Sequence, residues 1–378
     1  KHRKFQSKKV SIDENVFIKE TKISTQNAFG KILDQYAKNN SDFSQRILTT
    51  SPDVSVSTNL GPWINRKGLF SRKDSSDTFK DRKIPSAQKW IFSSQGQHIE
   101  LGIAEMNLFL MLGAAGLSHE FFGERLFPIG TVYDPFISRG LDAMNYACYQ
   151  DARFMIVGTP SGISLAPEGG AHQSIATPLI GISQPGLLSF EPAFADELAL
   201  IMNYGFNYLQ DESGGSIYLR LTTRSIDQPM REIDNELKNN IIKGGYWLKK
   251  PGPNPEVIIV YQGAVASEAI ESTALLGEKF KNSGVLSITS SDKLFHEWKN
   301  QNSTSHIELL LEGVPRDTRI ITVIDGHPMT LSWIGSIYGH KTIPLGVSSF
   351  GQTGKVEDLF KEFTIDSQSI SNLGFSIN

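Results

Sequence analysis

The fold is decided by residues 125–158, which read RLFPIGTVYDPFISRGLDAMNYACYQDARFMIVG. Two apolar runs, at 125–133 and 153–158, have the length and composition of buried strands, and the segment at 136–150 has the pattern of a helix. Strands that alternate with helices in this way form crossover units, in which successive strands run parallel. The stretch therefore predicts an α/β domain with a mainly parallel sheet.

The same alternation extends on both sides of this stretch. Further strand-like runs are RILTTS (46–51), WIFSS (90–94), GLLSF (186–190) and SIYLRL (216–221). Residues 59–88 are rich in Gly, Ser, Lys and Asp, and they predict a long surface loop. The segment KKPGPNP (249–255) contains turn residues, and a second series of strands and helices follows it.

We therefore expect an α/β protein with two doubly wound domains and mainly parallel sheets. The expected limits are a polar arm at 1–20, a first domain at 21–240 and a second domain at 241–378. Ligands of such sheets bind beyond the carboxyl ends of the strands. Residues that follow a strand are therefore the first candidates for a site.

Composition excludes several classes of protein. The formal net charge of −3 provides no basic field for nucleic acid. The single cysteine, Cys148, allows no intrachain disulfide framework and fits a reducing compartment, either the cytoplasm or an organelle matrix. No apolar run reaches the ~18 residues of a membrane span. No Cys or His pair has the spacing of metal ligands, and no phosphate-loop motif occurs, so neither a metal site nor a nucleotide loop is predicted.

Glu105 is the first candidate. It lies near the start of GIAEMNLFLMLGAAGL (102–117), which is apolar on all sides and predicts a buried helix. A buried carboxylate must be paired, hydrogen-bonded or protonated, and such groups occur at functional sites. The alternative is an acid that complements the helix dipole.

Tyr133, Phe136 and Arg139 follow a predicted strand and are the second candidates. Aromatic residues three positions apart often pack into a core. The functional alternative is an aromatic floor beneath a planar heterocycle, and the spacing alone leaves both open.

Three further candidates lie in loops. His172, in EGGAHQS (168–174), follows a Gly-rich loop and is suited to acid–base work or to binding an anion, or else is a surface residue of a turn. Asp53 follows a strand among hydroxyl residues, where an Asx cap is the alternative to a site. Asp325 and His327 follow another strand, where the choice lies between a site and a simple turn.

Together these segments resemble the thiamine-diphosphate enzymes of the transketolase and pyruvate dehydrogenase superfamily. GIAE (102–105) is similar to the segment that carries the catalytic glutamate, and VYDPFISRGLDAM (132–144) to the segment whose aromatic residues line the aminopyrimidine pocket. EGGAHQS is similar to the loop that supplies an active-site histidine, with Glu168 where the family usually has Asp. SPDVSVSTNL (51–60) and FGQTGKVEDLFKEFTID (350–366) also resemble family segments.

The resemblance implies a role for each candidate. Residues 21–240 would be the pyrimidine-binding domain, and residues 241–378 the transketolase C-terminal-like domain. Glu105 would hydrogen-bond a ring nitrogen of the aminopyrimidine, and His172 would stabilise or protonate the substrate oxyanion. The cofactor-binding set implied by the resemblance is Glu105, Tyr133, Phe136, Arg139, Asp53 and Glu168.

The resemblance also implies partners. The family binds the diphosphate through Mg²⁺ and a GDG…N motif on a separate domain, and no GDG occurs in this sequence. We expect that domain upstream in a longer polypeptide or on a partner subunit, with the site formed between the subunits of a homo- or hetero-oligomer. A lipoyl acyltransferase is a further candidate partner, whereas nucleic acid and membranes are not expected.

Three alternatives for the function remain open at this point. The closest resemblance is to the homodimeric type of 2-oxoacid dehydrogenase component, which decarboxylates pyruvate or a relative and passes the acyl group to a lipoyl domain. The second is ketol transfer between sugar phosphates, which needs cationic groups at the entrance, with Arg139, Arg153 and Arg220 as candidates. The third is a non-catalytic assembly subunit that has kept the fold.

Overall fold

The computed structural model describes residues 7–14, 16–73, 81–85, 90–300 and 302–376. In the first half of the chain the strands are β1 (Lys22–Ile23), β2 (Ile47–Ser51), β3 (Leu69–Phe70), β4 (Phe92–Ser93), β5 (His98–Glu100), β6 (Phe127–Val132), β7 (Met155–Gly158), β8 (Leu187–Phe190), β9 (Ser216–Arg220) and β10 (Ile226–Asp227). The helices of this half are α1 (Thr25–Asn39), α2 (Asp42–Arg46), α3 (Gly61–Lys67), α4 (Glu105–Gly116), α5 (Ser118–Phe122), α6 (Leu141–Tyr149), α7 (Thr177–Ser183) and α8 (Ala195–Tyr208). Its 3-10 segments are Asp134–Gly140, Gly162–Glu168 and Gly170–His172.

The second half has the same kinds of element. Its strands are β11 (Gly245–Lys249), β12 (Val257–Gln262), β13 (Gly284–Ile288), β14 (Arg319–Ile324) and β15 (Thr342–Leu345). Its helices are α9 (Asn235–Lys243), α10 (Ala266–Leu276), α11 (Ser291–Lys299), α12 (His306–Leu311), α13 (Met329–Ser332), α14 (Val356–Glu362) and α15 (Ser367–Phe375). Its 3-10 segments are Gly263–Val265 and Trp333–Ser336.

The first sheet is entirely parallel. Its order is β4-β3-β5-β2-β6-β7-β9-β8, and every neighbouring pair runs in the same direction. Met155 and Val157 of β7 face the core beneath α1 and α8, and Ile156 between them faces the core beneath α4 and α6. Because both faces are covered, these strands have continuous apolar sequences.

The second sheet has the order β11-β13-β12-β14-β15. Its neighbours run parallel except for β11, which is antiparallel to β13 at the edge. Ile259 and Tyr261 of β12 pack towards α10 and α15, whereas Ile258 and Val260 pack towards α11 and α12. The two sheets with their helices confirm the predicted α/β class with mainly parallel strands.

Helix α4 differs from the prediction of a helix that is buried on all sides. Leu108, Phe109 and Leu112 are buried against β6 and α6, but Leu110 is 58% exposed. An apolar sequence does not reveal which side of a helix its own chain covers. We call the exposed residues on and around α4 the apolar face; they are Ile103, Met106, Leu110, Phe121, Phe122, Tyr146 and Tyr149.

The predicted loop at 59–88 and the polar arm are also more ordered than expected. Helix α3 and strand β3 lie within the loop, with Trp63 and Ile64 buried, while residues 74–80 and 86–89 lie outside the described part. In the arm, the side-chain amide of Gln210 bonds both the N–H and the carbonyl of Val10. Long-range contacts of this kind leave no periodic pattern in a sequence.

The predicted limit between the domains, at residue 240, lies within helix α9, which contacts both α8 and β11. Asp234 caps this helix by accepting from the Leu237 N–H, and Gly244 ends it at a φ of 113°. The domain limits themselves remain a prediction. None of the helices in the described segments combines the length and apolar character needed to cross a membrane.

Candidate functional site

Four loops meet at the carboxyl edge of the eight-stranded sheet. They follow β5, β2, β6 and β7, which are consecutive neighbours in the sheet. Because parallel strands present their carboxyl ends at one edge, residues far apart in sequence come together there. These loops carry the candidates Asp53, Glu105, the segment from Tyr133 to Arg139, and His172.

Glu105 is the first residue of α4, and a turn with Gly102 at a φ of 67° precedes it. Its side chain is only 10% exposed and forms an ion pair with Nη1 of Arg139. The guanidinium carbon of Arg139 lies 3.8 Å from the centroid of the Phe136 ring, a cation–π contact. The carboxylate, the guanidinium and the ring are therefore joined in one cluster.

The aromatic candidates complete this cluster. The rings of Tyr133 and Phe136 stack with centroids 6.0 Å apart and an angle of 16° between their planes. The imidazole of His172 lies edge-on to Phe136, with centroids 5.4 Å apart. All three rings are half-buried, so each keeps part of its surface accessible. The structure therefore brings five of the predicted residues into one cluster: Glu105, Tyr133, Phe136, Arg139 and His172.

Asp53 lies at the same edge but in a separate group. It has a φ of 65°, and its N–H donates to Oε1 of Glu100 at 2.8 Å. Glu100 also accepts from Ser55, and the buried imidazole of His98 bonds Ser55. Partial burial opposes ionisation of Glu100, but bonds from His98, Ser55 and Asp53 outweigh it and hold the pKa of this carboxyl below its ordinary value. No motif in the sequence pointed to His98, Glu100 and Ser55 as a group.

Glu168 is exposed at the end of its 3-10 segment. Among the described residues, neither Glu168 nor the Asp53 side chain bonds the five clustered residues. Arg153 lies just before β7, at the opposite edge of the sheet, where it pairs with Asp151. It therefore does not face this site.

A second cluster of polar side chains is centred on Asp134, between the aromatic residues of the first cluster in sequence. No sequence motif marked it as a unit. Asp134 is fully buried and accepts hydrogen bonds from Ser174, Thr177, Tyr218 and Arg220. A buried acid between two candidate aromatic residues was the available signal. Its partners lie 40 to 86 positions away, so the sequence pattern could not identify them.

Arg220 continues this network towards the second domain. Its Nη1 pairs with Glu191, whose carboxylate also accepts from Nε2 of Gln262 at 2.9 Å. Complete burial raises the pKa of Glu191 to about 7, with the negative charges of Asp325 and Asp134 adding to the effect and Arg220 opposing it. The network therefore contains a carboxyl group that titrates near neutral pH.

Asp325 connects the two domains in a second place. Its carboxylate accepts the N–H of Ile163 at 2.9 Å. Gly162 permits this approach, because a Cβ at that position would overlap the Asp325 carboxylate. Burial raises the pKa of Asp325 to about 6, against the charge of Arg220. Nδ1 of His327 accepts from the N–H of Met329, a turn contact.

The first cluster, which we call the upper cluster, consists of Glu105, Tyr133, Phe136, Arg139 and His172. Its side chains fit one half of a planar, nitrogen-containing ligand. The half-buried rings of Tyr133 and Phe136 offer apolar surface, and Glu105 offers a shielded carboxylate beside them. Such a carboxylate can share a proton with a ring nitrogen. In the described part of the chain, no group of three or more His, Cys, Asp or Glu side chains is arranged to hold a metal ion.

Fold and site together define a two-domain α/β protein with an acidic and aromatic site at the edge of a parallel sheet. The chain belongs to the family described as the pyruvate dehydrogenase E1 component middle domain, whose model matches residues 8–229. The model of the transketolase-like C-terminal domain matches residues 244–366. This membership places the chain in the thiamine-diphosphate-dependent superfamily of transketolases and pyruvate dehydrogenases, as the sequence resemblance predicted.

Named relatives agree with this family. The chain is 24% identical over 365 residues to the pyruvate dehydrogenase E1 component of Escherichia coli (strain K12), and this match covers 92% of the chain and 40% of that protein. It is 26% identical over 278 residues to transketolase 1 of Candida albicans, covering 73% of the chain and 37% of that protein. The chain therefore spans well under two thirds of the length of these relatives.

Solved structures show the same fold. Transketolase from Leishmania mexicana matches 96% of the chain and 46% of its own length, at 18% identity and a TM-score of 0.74. An inactive β4 tetramer of a split-gene transketolase matches 93% of the chain and 96% of its own length, at 18% identity and a TM-score of 0.62.

Proposed function

We propose that this chain forms the pyrimidine-side half of a thiamine-diphosphate site in a 2-oxoacid dehydrogenase component. The observation that carries the proposal is the cluster of Glu105, Arg139, Phe136, Tyr133 and His172. It combines a shielded carboxylate, an aromatic surface and an imidazole at one edge of a parallel sheet. Family membership supplies the class of cofactor.

Each side chain has a distinct task in this proposal. Glu105 shares a proton with a ring nitrogen of the aminopyrimidine, and its burial keeps water from competing for that bond. Tyr133 and Phe136 bind the pyrimidine face, a contact worth about 0.5–1.5 kcal/mol beyond the burial of area. Arg139, which pairs with Glu105, and Asp53 are the remaining proposed contacts to the cofactor. The cofactor itself supplies the carbanion chemistry of decarboxylation.

His172 acts on the substrate. Its ring is half-buried and edge-on to Phe136, so one nitrogen can reach a ligand above the aromatic pair. In this position the imidazole donates a proton or a hydrogen bond to the oxygen of the reacting carbonyl. Glu168, four residues earlier, remains a proposed contact at the rim of the same loop.

Three arginines, Arg139, Arg220 and Arg224, are already paired with carboxylates, which argues against a sugar phosphate as the substrate. Arg139 is paired with Glu105, and Arg220 is buried between Asp134 and Glu191. Arg224 is held by both oxygens of Glu268. A phosphate group needs guanidinium groups that are free to bind it. The carboxylates that occupy these three therefore support a substrate without a phosphate.

The apolar face supports the proposed partner. It begins at Ile103, two residues before Glu105, and continues along α4 to the aromatic residues of α5 and α6. Exposed apolar surface of this kind marks protein interfaces. We propose that the diphosphate-binding domain, in this polypeptide or on another subunit, covers it and holds the Mg²⁺ and diphosphate. An oligomer and a lipoyl acyltransferase partner belong to the same proposal.

Replacement of Glu105 tests the cofactor assignment. With the diphosphate-binding domain present, Glu105→Ala should lower thiamine-diphosphate-dependent turnover by about 10²–10⁴-fold, because the proton-sharing contact is lost. Circular dichroism should show an unchanged fold. The matched control is Asp142→Ala, which removes an exposed acid from the first turn of the neighbouring helix α6. Wild-type turnover of Glu105→Ala would exclude the assignment.

Two acceptor assays distinguish the activities. The proposal expects acyl transfer from a 2-oxoacid to a lipoyl group, and no ketol transfer to an aldose phosphate. Ketol transfer without acyl transfer would instead establish a transketolase-like enzyme. Absence of thiamine-diphosphate binding, with every candidate partner chain present, would leave a non-catalytic assembly subunit.

A further inference from the structure

Asp134 occupies the junction of the segments that form the proposed site. It lies between Tyr133 and Phe136 at the start of a 3-10 segment. Its side chain is completely buried and points away from the aromatic surface, towards β7 and β9. Gly158 at the end of β7 makes room for it, because a Cβ there would overlap the Asp134 carboxylate.

The two carboxylate oxygens have four donors. Oδ2 accepts from Oγ1 of Thr177 at 2.6 Å, from Nε of Arg220 at 3.0 Å and from the Ser174 hydroxyl, while Oδ1 accepts from the Tyr218 hydroxyl. Four donors on one carboxylate fix its position and its orientation. A carboxylate so fully bonded is far more constrained than its place in a loop would suggest.

Two of these donors, Ser174 and Thr177, come from the segment that follows His172, and the other two come from β9. Ser174 is two residues beyond His172 and Thr177 begins helix α7, so Asp134 holds both ends of the segment that follows the histidine. Ser174 in turn accepts the N–H of Gly162, at the start of the loop before His172. The aromatic segment and the histidine loop are thus joined through one carboxylate.

We propose that Asp134 is a positioning residue, which sets the placement of His172 relative to the Tyr133 and Phe136 rings through Ser174 and Thr177. This inference rests on the proposed function only for its catalytic consequence. Its geometric content, the edge-on contact of His172 with Phe136, is a property of the chain itself. Replacement of the carboxylate should therefore loosen that contact before it unfolds the domain.

The chain offers two graded variants and one control. Asp134→Asn keeps the size of the side chain and removes its charge. Ser174→Ala detaches the histidine loop and leaves the Asp134–Arg220 ion pair intact. The control is Glu268→Gln, which weakens the partly buried ion pair with Arg224 and removes no hydrogen bond of Asp134 or Ser174.

The first measurement is the NMR signal of the His172 imidazole in histidine-labelled protein. Because the Phe136 ring lies edge-on at 5.4 Å, its ring current shifts this signal from the value of a free histidine. Both site variants should move the His172 signal towards the free value and leave those of His119 and His306 in place. Glu268→Gln should change none of the three.

The second measurement is the kinetics of the enzyme with its diphosphate-binding domain. We expect kcat to fall about 10-fold to 100-fold in Asp134→Asn, while the Kd for thiamine diphosphate changes less than about 3-fold, because a misplaced catalytic group costs rate more than binding. A rate that falls while the Kd for thiamine diphosphate rises and the protein unfolds globally would overturn the inference, and so would an unchanged His172 signal in both site variants. A shifted His172 signal in a chain that never binds thiamine diphosphate would uphold the positioning and reject the proposed function.

Discussion

At the scale of single residues, the site combines side chains that are half covered with others that are completely buried. Tyr133, Phe136 and His172 keep accessible surface, whereas Asp134 beneath them keeps none. In the proposed function the half-covered rings contact the ligand, and the buried acid positions the backbone of the segments that carry them. If Asp134 lost one of its donors, its carboxylate would remain buried with fewer hydrogen bonds. The members of the second cluster therefore depend on one another.

Replacement of His172 should separate its role from that of Glu105. His172→Ala should lower kcat by about 10²–10⁴-fold, because the developing oxyanion loses its donor, while the Kd for thiamine diphosphate stays within a few-fold of the wild-type value. Steady-state kinetics and a cofactor titration measure the two effects. His296→Gln is the control, since that imidazole is exposed on α11. A loss of cofactor affinity without a loss of rate would contradict the assigned role.

The sequence identified the residues of the upper cluster, but of those beneath it only Arg220, as a candidate cation for a sugar phosphate. Glu105 and His172 stand out because charged or titratable groups follow strands among apolar or Gly-rich neighbours. The hypothesis that Arg220 lies at the entrance was wrong, because it is buried between Asp134 and Glu191, which come from loops elsewhere in the chain. Side-chain networks between distant segments leave no local pattern, so they are visible only in the structure.

At the scale of elements, the site depends on a close approach of α4 and the 3-10 segment that carries the aromatic pair. Gly140 ends that segment, and the Phe109 ring of α4 lies where its Cβ would be. This contact brings the start of α4, with Glu105, beside the segment with Arg139. A side chain at 140 would push the two elements apart.

Gly140→Ala should therefore lower the free energy of unfolding by about 1–3 kcal/mol, because the added methyl group overfills a packed contact. Urea unfolding measures the change. Gly61→Ala is the control, because no atom lies within 4 Å of its Cβ position at the start of α3. There the change should stabilise by about 0.4–1 kcal/mol. Equal stability of the two variants would show that α4 can move away without cost.

The elements that the sequence failed to predict are short or lie at edges. Strands β1, β3 and β10 have two residues each, too few for any period to appear. Strand β11 follows a polar helix directly and pairs antiparallel at the edge of its sheet, and its burial decreases from the buried Gly245 and Tyr246 to the exposed Lys249. The sequence predicts the long apolar strands β6, β7 and β12 correctly, because strands that are buried on both faces consist of nearly continuous apolar residues.

At the scale of the whole molecule, the two domains are joined by buried polar groups. Asp325 of the second domain accepts from Ile163 of the first, and Gln262 donates to Glu191. Asp292 accepts from the N–H of Ser189, and Glu268 holds Arg224. Buried polar groups of this kind are costly to separate, because each would lose its partner.

The pKa of Glu191 makes this junction sensitive to pH. Burial raises that pKa from 4.5 to about 7, so the folded protein binds a proton that the unfolded chain releases at a lower pH. The contribution of the neutral Glu191 carboxyl to the free energy of unfolding is fully present below pH 4.5. This contribution is lost as pH rises through about 7. The loss amounts to up to about 3 kcal/mol. Unfolding at pH 5 and pH 8 should reveal it.

Glu191→Gln should reduce this difference between the two pH values, because the amide does not titrate. The amide can be accommodated, since Oε1 of Gln262 is buried without a partner among the described residues and can accept from it once Gln262 turns over. Asp325 titrates in the same direction in both proteins, so a part of the dependence should remain. An identical pH dependence in the variant would assign the effect to other groups.

The buried junction has a consequence for how a substrate reaches the site. Because separating the domains would leave these buried polar groups without partners, we do not expect substrate entry to depend on a hinge between them. The movement that admits substrate would then occur on the other side of Glu105, where α4 exposes the apolar face. We expect the partner that covers the apolar face to open and close access to the proposed site, while the two domains keep their arrangement.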